Sequence, residues 1–179
     1  LLLRTEVTQF AENEDGSVRV HLSNDKSLTS ELIIVAIGVK PDTKFLDNSG
    51  IALTSAGHII VNKYMQTNYD CIYAVGDAVS VKDFVSGQSI AAPLAGPANR
   101  QGRIAADHIA QLQTSYADTQ GTAICKIFNL TAAVTGINEK SAQKLGIAYA
   151  KSYTHSASHA GYYPGSKLMS IKILFRPDN

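Results

Sequence analysis

The chain has 179 residues, 45% of them apolar and 17% charged, and its 16 Lys and Arg against 15 Asp and Glu leave a formal net charge of +1. This mixture speaks against a disordered or fibrous chain, and a near-neutral charge speaks against the concentrated basic face of a nucleic-acid binder. No run approaches the roughly 20 consecutive apolar residues that cross a bilayer, so neither nucleic acid nor membrane is an expected partner.

Strand-like runs from Leu1 to Phe10 lead to Glu14-Asp15-Gly16, a strong hairpin-turn signal, and Val18–Leu22 then alternates with period two as a half-buried strand does. A polar turn at Ser23–Lys26 leads through Leu28 to Leu32–Gly38, which is apolar on both faces and predicts a fully buried strand ending at glycine. Together these elements read as the tail of an α/β domain. Pro41-Asp42-Thr43 marks a break, after which Ile51–Thr54 and Ile59–Asn62 flank a turn at Ser55-Ala56-Gly57. Ile72–Gly76 predicts a second buried strand, closed by Gly76-Asp77.

A loop with Gly87, Pro93, Gly96 and Pro97 precedes a helix whose small or apolar positions Ala98, Gly102, Ala105, Ile109 and Leu112 form one stripe. Arg103 and Asp107 are expected to pair one turn apart on its outer face. Beyond Gly121, Ile124–Phe128 and Ala132–Val134 predict strands, and Asn138 predicts the cap of a short helix that Gly146 stops. Ile147–Thr154 predicts a further strand. Lys167–Phe175 predicts the last one, an exposed edge whose hairpin partner is expected beyond the turn residues Arg176-Pro177-Asp178-Asn179.

Asp77 is the most informative residue. A carboxylate just past a buried strand sits where open α/β sheets bind ligands and can accept hydrogen bonds from sugar or sugar-alcohol hydroxyls, while Gly76 lets a ligand approach the backbone. An ordinary Gly-Asp turn is the alternative reading. Pro93–Gly102 leads into a helix start whose free N–H groups suit a flat ligand that gains negative charge; a plain Pro/Gly loop is the alternative. His155 and His159 have a helical metal-ligand spacing, but Gly161 and Pro164 argue against a helix and no third ligand is evident, so no metal is expected. Tyr162-Tyr163-Pro164-Gly165 reads as an aromatic turn packed at a subunit interface.

Cys71 and Cys125 belong to no C-x-x-C pair and are expected as buried, inert free thiols in a reducing, cytoplasmic compartment. No G-x-G-x-x-G occurs. The opening Leu-Leu-Leu-Arg has neither an initiator Met nor the cleavage site of a leader, so the chain is expected to be part of something longer.

The segments LIIVAIGVKPDT (32–43), HIIVNKYMQTN (58–68), IYAVGDA (72–78), PLAGPANRQGRIAADHIA (93–110), GTAICKIFNLTAAVTGINE (121–139) and HAGYYPG (159–165), in this order, resemble the C-terminal half of FAD-dependent pyridine nucleotide–disulfide oxidoreductases. The last four are most similar to the branch of coenzyme A-disulfide reductases and NADH oxidases. The resemblance implies an α/β fold: a partial FAD/NAD(P)-binding Rossmann-like domain followed by a truncated α+β dimerisation domain. It places the end of the NAD(P)-binding domain at 1–38, the second segment of the FAD-binding domain at 39–118, and the start of the dimerisation domain at 119–179.

The same resemblance implies that Gly76 and Asp77 meet the ribityl chain of FAD, that Leu94 and Ala95 meet the flavin ring, and that Gly38 lies near the nicotinamide of NAD(P)H. Asn99 would face a coenzyme A-type thiol or disulfide, and Tyr162 or Tyr163 would cross a homodimer interface to the partner's thiol site. Hydride would pass from NAD(P)H through FAD to a cysteine-centred disulfide or sulfenic acid. Since the family's glycine-rich fingerprints and catalytic cysteine lie in its N-terminal half, this chain alone is expected to bind FAD weakly or not at all and not to turn over. A non-catalytic dimerisation or docking module is the alternative, and a metal enzyme using His155 and His159 a distant third.

Overall fold

The structure is a computed structural model that describes residues 1–178. The chain divides after Val39 into two compact units.

The first unit is built on a three-stranded antiparallel sheet of β1 (Val7–Glu12), β2 (Val18–Leu22) and β3 (Ser27–Ser30) in that order. The β1–β2 turn forms as expected: Gly16 takes φ +79°, and the Asp15 carboxylate accepts hydrogen bonds from the hydroxyl and backbone N–H of Ser17 at 2.6 and 3.0 Å. Those bonds, the hydroxyl's first, hold the Asp15 carboxyl below its ordinary pKa. The period-two pattern of β2 is realised, with Val20 and Leu22 buried between exposed or half-buried neighbours.

Leu32–Gly38 does not form the expected buried strand. Ile34 and Ile37 are 82% and 90% exposed, and the segment pairs with nothing among the described residues. A strand apolar on both faces is held only by flanking strands and by helices over both faces; the ladder of this unit ends at Ser30.

The core of the second unit gathers Ile59, Met65, Val79, Val81, Ala92, Ile104, Ala105 and Tyr116. Its sheet places β5 (Val79–Lys82) between β4 (Ile59–Ile60), which runs parallel to it, and β6 (Ser89–Ala91), which runs antiparallel. Helix α1 (Ala95–Ile109) covers this core with Gln101, Ile104 and Ala105. The segment from Tyr116 to Thr119 is tied in through Tyr116 N–H to Lys63 O, Thr119 N–H to Lys82 O and Phe84 N–H to Thr119 O.

Three expectations are corrected here. Ile72–Gly76 makes only a single bridge, Gln66 with Tyr73, and leaves Ile72 and Val75 exposed. The strand starts later, at Val79, because Gly76 turns the chain at φ +86°. The buried face of α1 keeps Ala105 of the predicted stripe, with Ala98 and Gly102 half-buried, but is centred on Gln101, Ile104 and Ala105, and leaves Ile109 and Leu112 exposed. Arg103 and Asp107 form no ion pair among the described residues; Asp107 instead accepts from the Thr114 hydroxyl at 3.0 Å.

The remaining chain forms the hairpin of β7 (Ala123–Ile127) and β8 (Leu130–Val134), the short helix α2 (Glu139–Lys144), and the hairpin of β9 (Ala150–Ala157) and β10 (Leu168–Phe175). Asn138 caps α2 as expected, its Oδ1 accepting from Ser141 N–H at 2.9 Å, and Gly146 ends it with φ +66°. The last strand finds its hairpin partner upstream, in β9, with Ala157 opposite Leu168 and Ala150 opposite Phe175. Cys71 and Cys125 are exposed rather than buried, Cys71 in a turn and Cys125 on β7, whose residues face solvent nearly throughout.

Glu139 ties α2 to the final hairpin. Its carboxylate pairs with Lys172 and with Lys151 (2.9 Å) and accepts from the Tyr149 hydroxyl at 2.8 Å, Lys172 acting first among them to pull its pKa down to about 2. The folded value lies below the ordinary 4.5, so the stabilisation is present above pH 4.5 and is lost as pH falls toward 2. Glu139→Gln is expected to lower Tm by a few degrees at most at neutral pH, with the gap closing across that acid window and narrowing in high salt. Thermal melts against pH check this, and a gap independent of pH would refute it.

Candidate functional site

The site is assembled where the turn at Gly76 meets helix α1. Two hydrogen bonds hold the turn: Gly76 O accepts from Val79 N–H at 3.3 Å, and Gly76 N–H donates to Gln101 Oε1 at 2.7 Å. Ala78 O in turn accepts from Ile59 N–H at 2.8 Å, fastening the turn to the sheet. Only glycine adopts φ +86° without strain, and a Cβ built at Gly76 would meet nothing within 4 Å, so the backbone faces open space. Asp77 follows with an exposed carboxylate that has no ion pair or side-chain hydrogen bond among the described residues. It therefore stands at a turn that enters a strand rather than at a strand's C-terminal end.

Helix α1 begins at Ala95, with Leu94 extended before it at φ −134° and ψ 136° and no side chain capping the first turn. Leu94 N–H is occupied by Ala92 O at 2.7 Å, Pro97 has no N–H, and Ala98 N–H donates to Leu94 O at 3.1 Å. That leaves the N–H groups of Ala95 and Gly96 as the free donors at the positive end of the helix. Gln101 lies further along the same helix, about 9 Å along its axis from Ala95 at 1.5 Å per residue.

Turn and helix start together expose an anionic acceptor, an unobstructed glycine backbone and two N–H donors. This set fits a ligand that combines a polyhydroxylated chain with a flat ring that takes up negative charge, and so fits the central part of FAD. The other half of a dinucleotide needs a glycine-rich phosphate loop, and this chain holds no G-x-G-x-x-G.

Of the expected site residues, the structure joins Gly76 and Asp77 to the helix that begins with Leu94 and Ala95. Asn99 lies on the exposed side of the same helix and, with Ala95, Gly96, Arg100 and Arg103, lines an open hollow of about 440 Å³. A second cavity of about 440 Å³ lies between the helix start and the segment from Tyr116 to Thr122, bordered by Phe84, Pro97 and Arg100; neither cavity reaches Asp77.

Tyr162 and Tyr163 sit on an exposed turn with ring centroids 4.8 Å apart, and no hydrogen bond or ring contact joins them to the Gly76 turn or to α1. Gly38 belongs to the first unit, with φ +86° and open space around it. His155 lies on β9 with its Nδ1 3.0 Å from Ser170 Oγ, and His159 on the loop beyond. No group of three or more His, Cys, Asp or Glu among the described residues is arranged to hold a metal.

The residue that sequence reasoning missed is Gln101, 1% exposed yet polar. A glutamine one position from a small-residue stripe reads as surface; only its partner at Gly76 explains its burial.

Residues 1–115 match the model of the pyridine nucleotide-disulphide oxidoreductase family. A coenzyme A disulfide reductase of Staphylococcus haemolyticus is 32% identical over 167 residues, covering 91% of this chain and 38% of that protein. An NADH oxidase of Methanocaldococcus jannaschii is 34% identical over 148 residues, covering 83% of this chain and 33% of that one. Among solved structures, the reduced CoADR-RHD of Bacillus anthracis superposes with a TM-score of 0.85 at 42% identity, covering 96% of this chain and 30% of its own. The chain thus spans about a third of the length of the relatives it matches.

Proposed function

The chain belongs to the pyridine nucleotide-disulphide oxidoreductase family, and we propose that it carries the second FAD-binding segment of a flavoprotein oxidoreductase. The parent protein passes hydride from NAD(P)H to a cysteine-centred disulfide or sulfenic acid, with coenzyme A disulfide, a persulfide or oxygen as final oxidant. The observation that carries this reading is the Gly76–Asp77 turn held on helix α1, with its exposed carboxylate beside an open glycine backbone. Relatives that share most of this chain are a coenzyme A disulfide reductase and an NADH oxidase, which supports the choice of oxidants.

FAD, when bound, supplies the two-electron chemistry. For this chain's own residues, Asp77 accepts hydrogen bonds from hydroxyls, and the N–H groups of Ala95 and Gly96 lower the energy of negative charge at the helix start. Leu94, half-buried, excludes water there. Gly38 leaves room for the nicotinamide nucleotide, and Asn99 faces the coenzyme A-type substrate. Residues 1–38, 39–118 and 119–179 serve as the end of the NAD(P)-binding domain, the FAD segment and part of the dimerisation domain. The exposed apolar side chains of β10, Leu168, Ile171, Ile173 and Phe175, support a homodimer across which Tyr162 or Tyr163 reaches the partner's thiol site. Two exposed, unpaired thiols favour a reducing, cytoplasmic setting.

Anaerobic NAD(P)H should bleach the flavin absorbance of the protein carrying this chain, and coenzyme A disulfide or oxygen should restore it. A colourless protein that consumes no NAD(P)H would overturn the reading in favour of a non-catalytic docking module.

A further inference from the structure

Gln101 is 1% exposed, on the face of α1 that also buries Ile104 and Ala105. A primary amide in such surroundings is unfavourable unless it is hydrogen-bonded, and a methionine of similar volume would fill the space without that cost. Its use here lies in the bond it makes. Oε1 accepts Gly76 N–H at 2.7 Å, the short end of the range for such bonds. Because a backbone N–H can only donate, the assignment of Oε1 is unambiguous.

With Gly76 O taken by Val79 N–H, the glycine is gripped on both sides, and its left-handed conformation is set by its partners. Asp77, next in the chain, has no side-chain hydrogen bond or ion pair of its own to orient it among the described residues. The direction of its carboxylate therefore depends on the turn before it, and the turn depends on Gln101. Nε2 of the same amide makes no hydrogen bond to the protein among the described residues, and since no fully enclosed side-chain polar atom there lacks a partner, it keeps a small opening to solvent.

We propose that Gln101 is a positioning residue for flavin binding: from the buried face of α1 it sets the Gly76 turn so that the Asp77 carboxylate meets the hydroxyls of the cofactor. The proposal rests on the FAD reading above.

Its test uses the protein carrying this chain, stripped of flavin and titrated with FAD, with urea unfolding run in parallel on the apo form. Gln101→Met keeps the volume and removes the acceptor; Gln101→Glu keeps an acceptor at the same reach. The methionine variant is expected to unfold at a urea concentration close to that of wild type, the apolar packing gained offsetting the Gly76 N–H left without its acceptor. It should nevertheless bind FAD about tenfold more weakly, as the loss of one ordered hydrogen bond predicts. Its Gly76 amide should exchange with solvent faster in the apo protein. The glutamate variant keeps the acceptor but buries a carboxyl, so its affinity should fall between those of the methionine variant and wild type. If wild type binds FAD and the methionine variant binds it equally well, the positioning role is wrong while the FAD reading stands. If wild type binds no FAD, both fall. Should the methionine variant fail to fold, equal affinity in wild type and Gln101→Ala would overturn the proposal in its place.

Discussion

Replacing Asp77 with alanine is expected to weaken FAD binding by roughly a hundredfold while leaving stability within about 0.5 kcal/mol of wild type. The two halves of this expectation have different origins. Asp77 is exposed and has no side-chain hydrogen bond or ion pair among the described residues, so removing its carboxylate breaks nothing that holds the fold. Toward a ligand, an ionised carboxylate can accept two hydroxyl hydrogen bonds, each worth about 1.5 kcal/mol at the low end of charged bonds, and about 1.4 kcal/mol is a factor of ten in affinity. Asp77→Asn keeps one acceptor oxygen and should lose about tenfold. Fluorescence titration of the flavin-free protein measures both. An alanine variant that binds FAD as wild type does would remove Asp77 from the site.

The second large effect is on stability. Met65 is 1% exposed in the core of the second unit and adopts φ +64°, a left-handed conformation unusual for a long side chain. Its backbone is bound on both sides, Met65 N–H donating to Asn62 O and Met65 O accepting from Ala74 N–H, each at 3.0 Å. The second bond ties the segment leading to Gly76 into the core. Met65→Ala is expected to cost about 2–5 kcal/mol, a large share of a domain's usual 5–15 kcal/mol, because the cavity opens among Val79, Val81 and Ile104. Met65→Leu should cost less than about 1.5 kcal/mol. The urea midpoints of the two variants decide it, and an alanine variant within about 1 kcal/mol of wild type would show that the core refills the space.

The sequence was informative where structure is local. The Asp15-Gly16 turn, the Asn138 cap with its Gly146 stop, the strands β7 and β8 (though not the turn at Phe128 that joins them) and the last strand all follow from short-range chemistry: a left-handed glycine, a side-chain acceptor for an orphan N–H, apolar runs of a few residues. The two runs read as buried strands failed because burial belongs to neighbours. Leu32–Gly38 and Ile72–Gly76 are apolar enough for a sheet interior, but no described strand pairs along either of them. The cysteines failed for the same reason: Cys125 lies on a two-stranded hairpin that nothing described covers, and Cys71 lies in an exposed turn.

The resemblance of the ordered short segments marked the family, and turn-forming and helix-starting residues, which carry their chemistry with them, brought Gly76, Asp77 and the start of α1 forward as candidates. Long-range contacts settled what supports them. The predicted stripe on α1 caught Ala105 but missed Gln101 and Ile104, and the glutamine is accommodated there because it accepts a hydrogen bond from a glycine 25 residues away in the chain. A bond of that kind satisfies two polar groups at once and leaves no periodic trace, so it became visible only when the chain had folded back on itself.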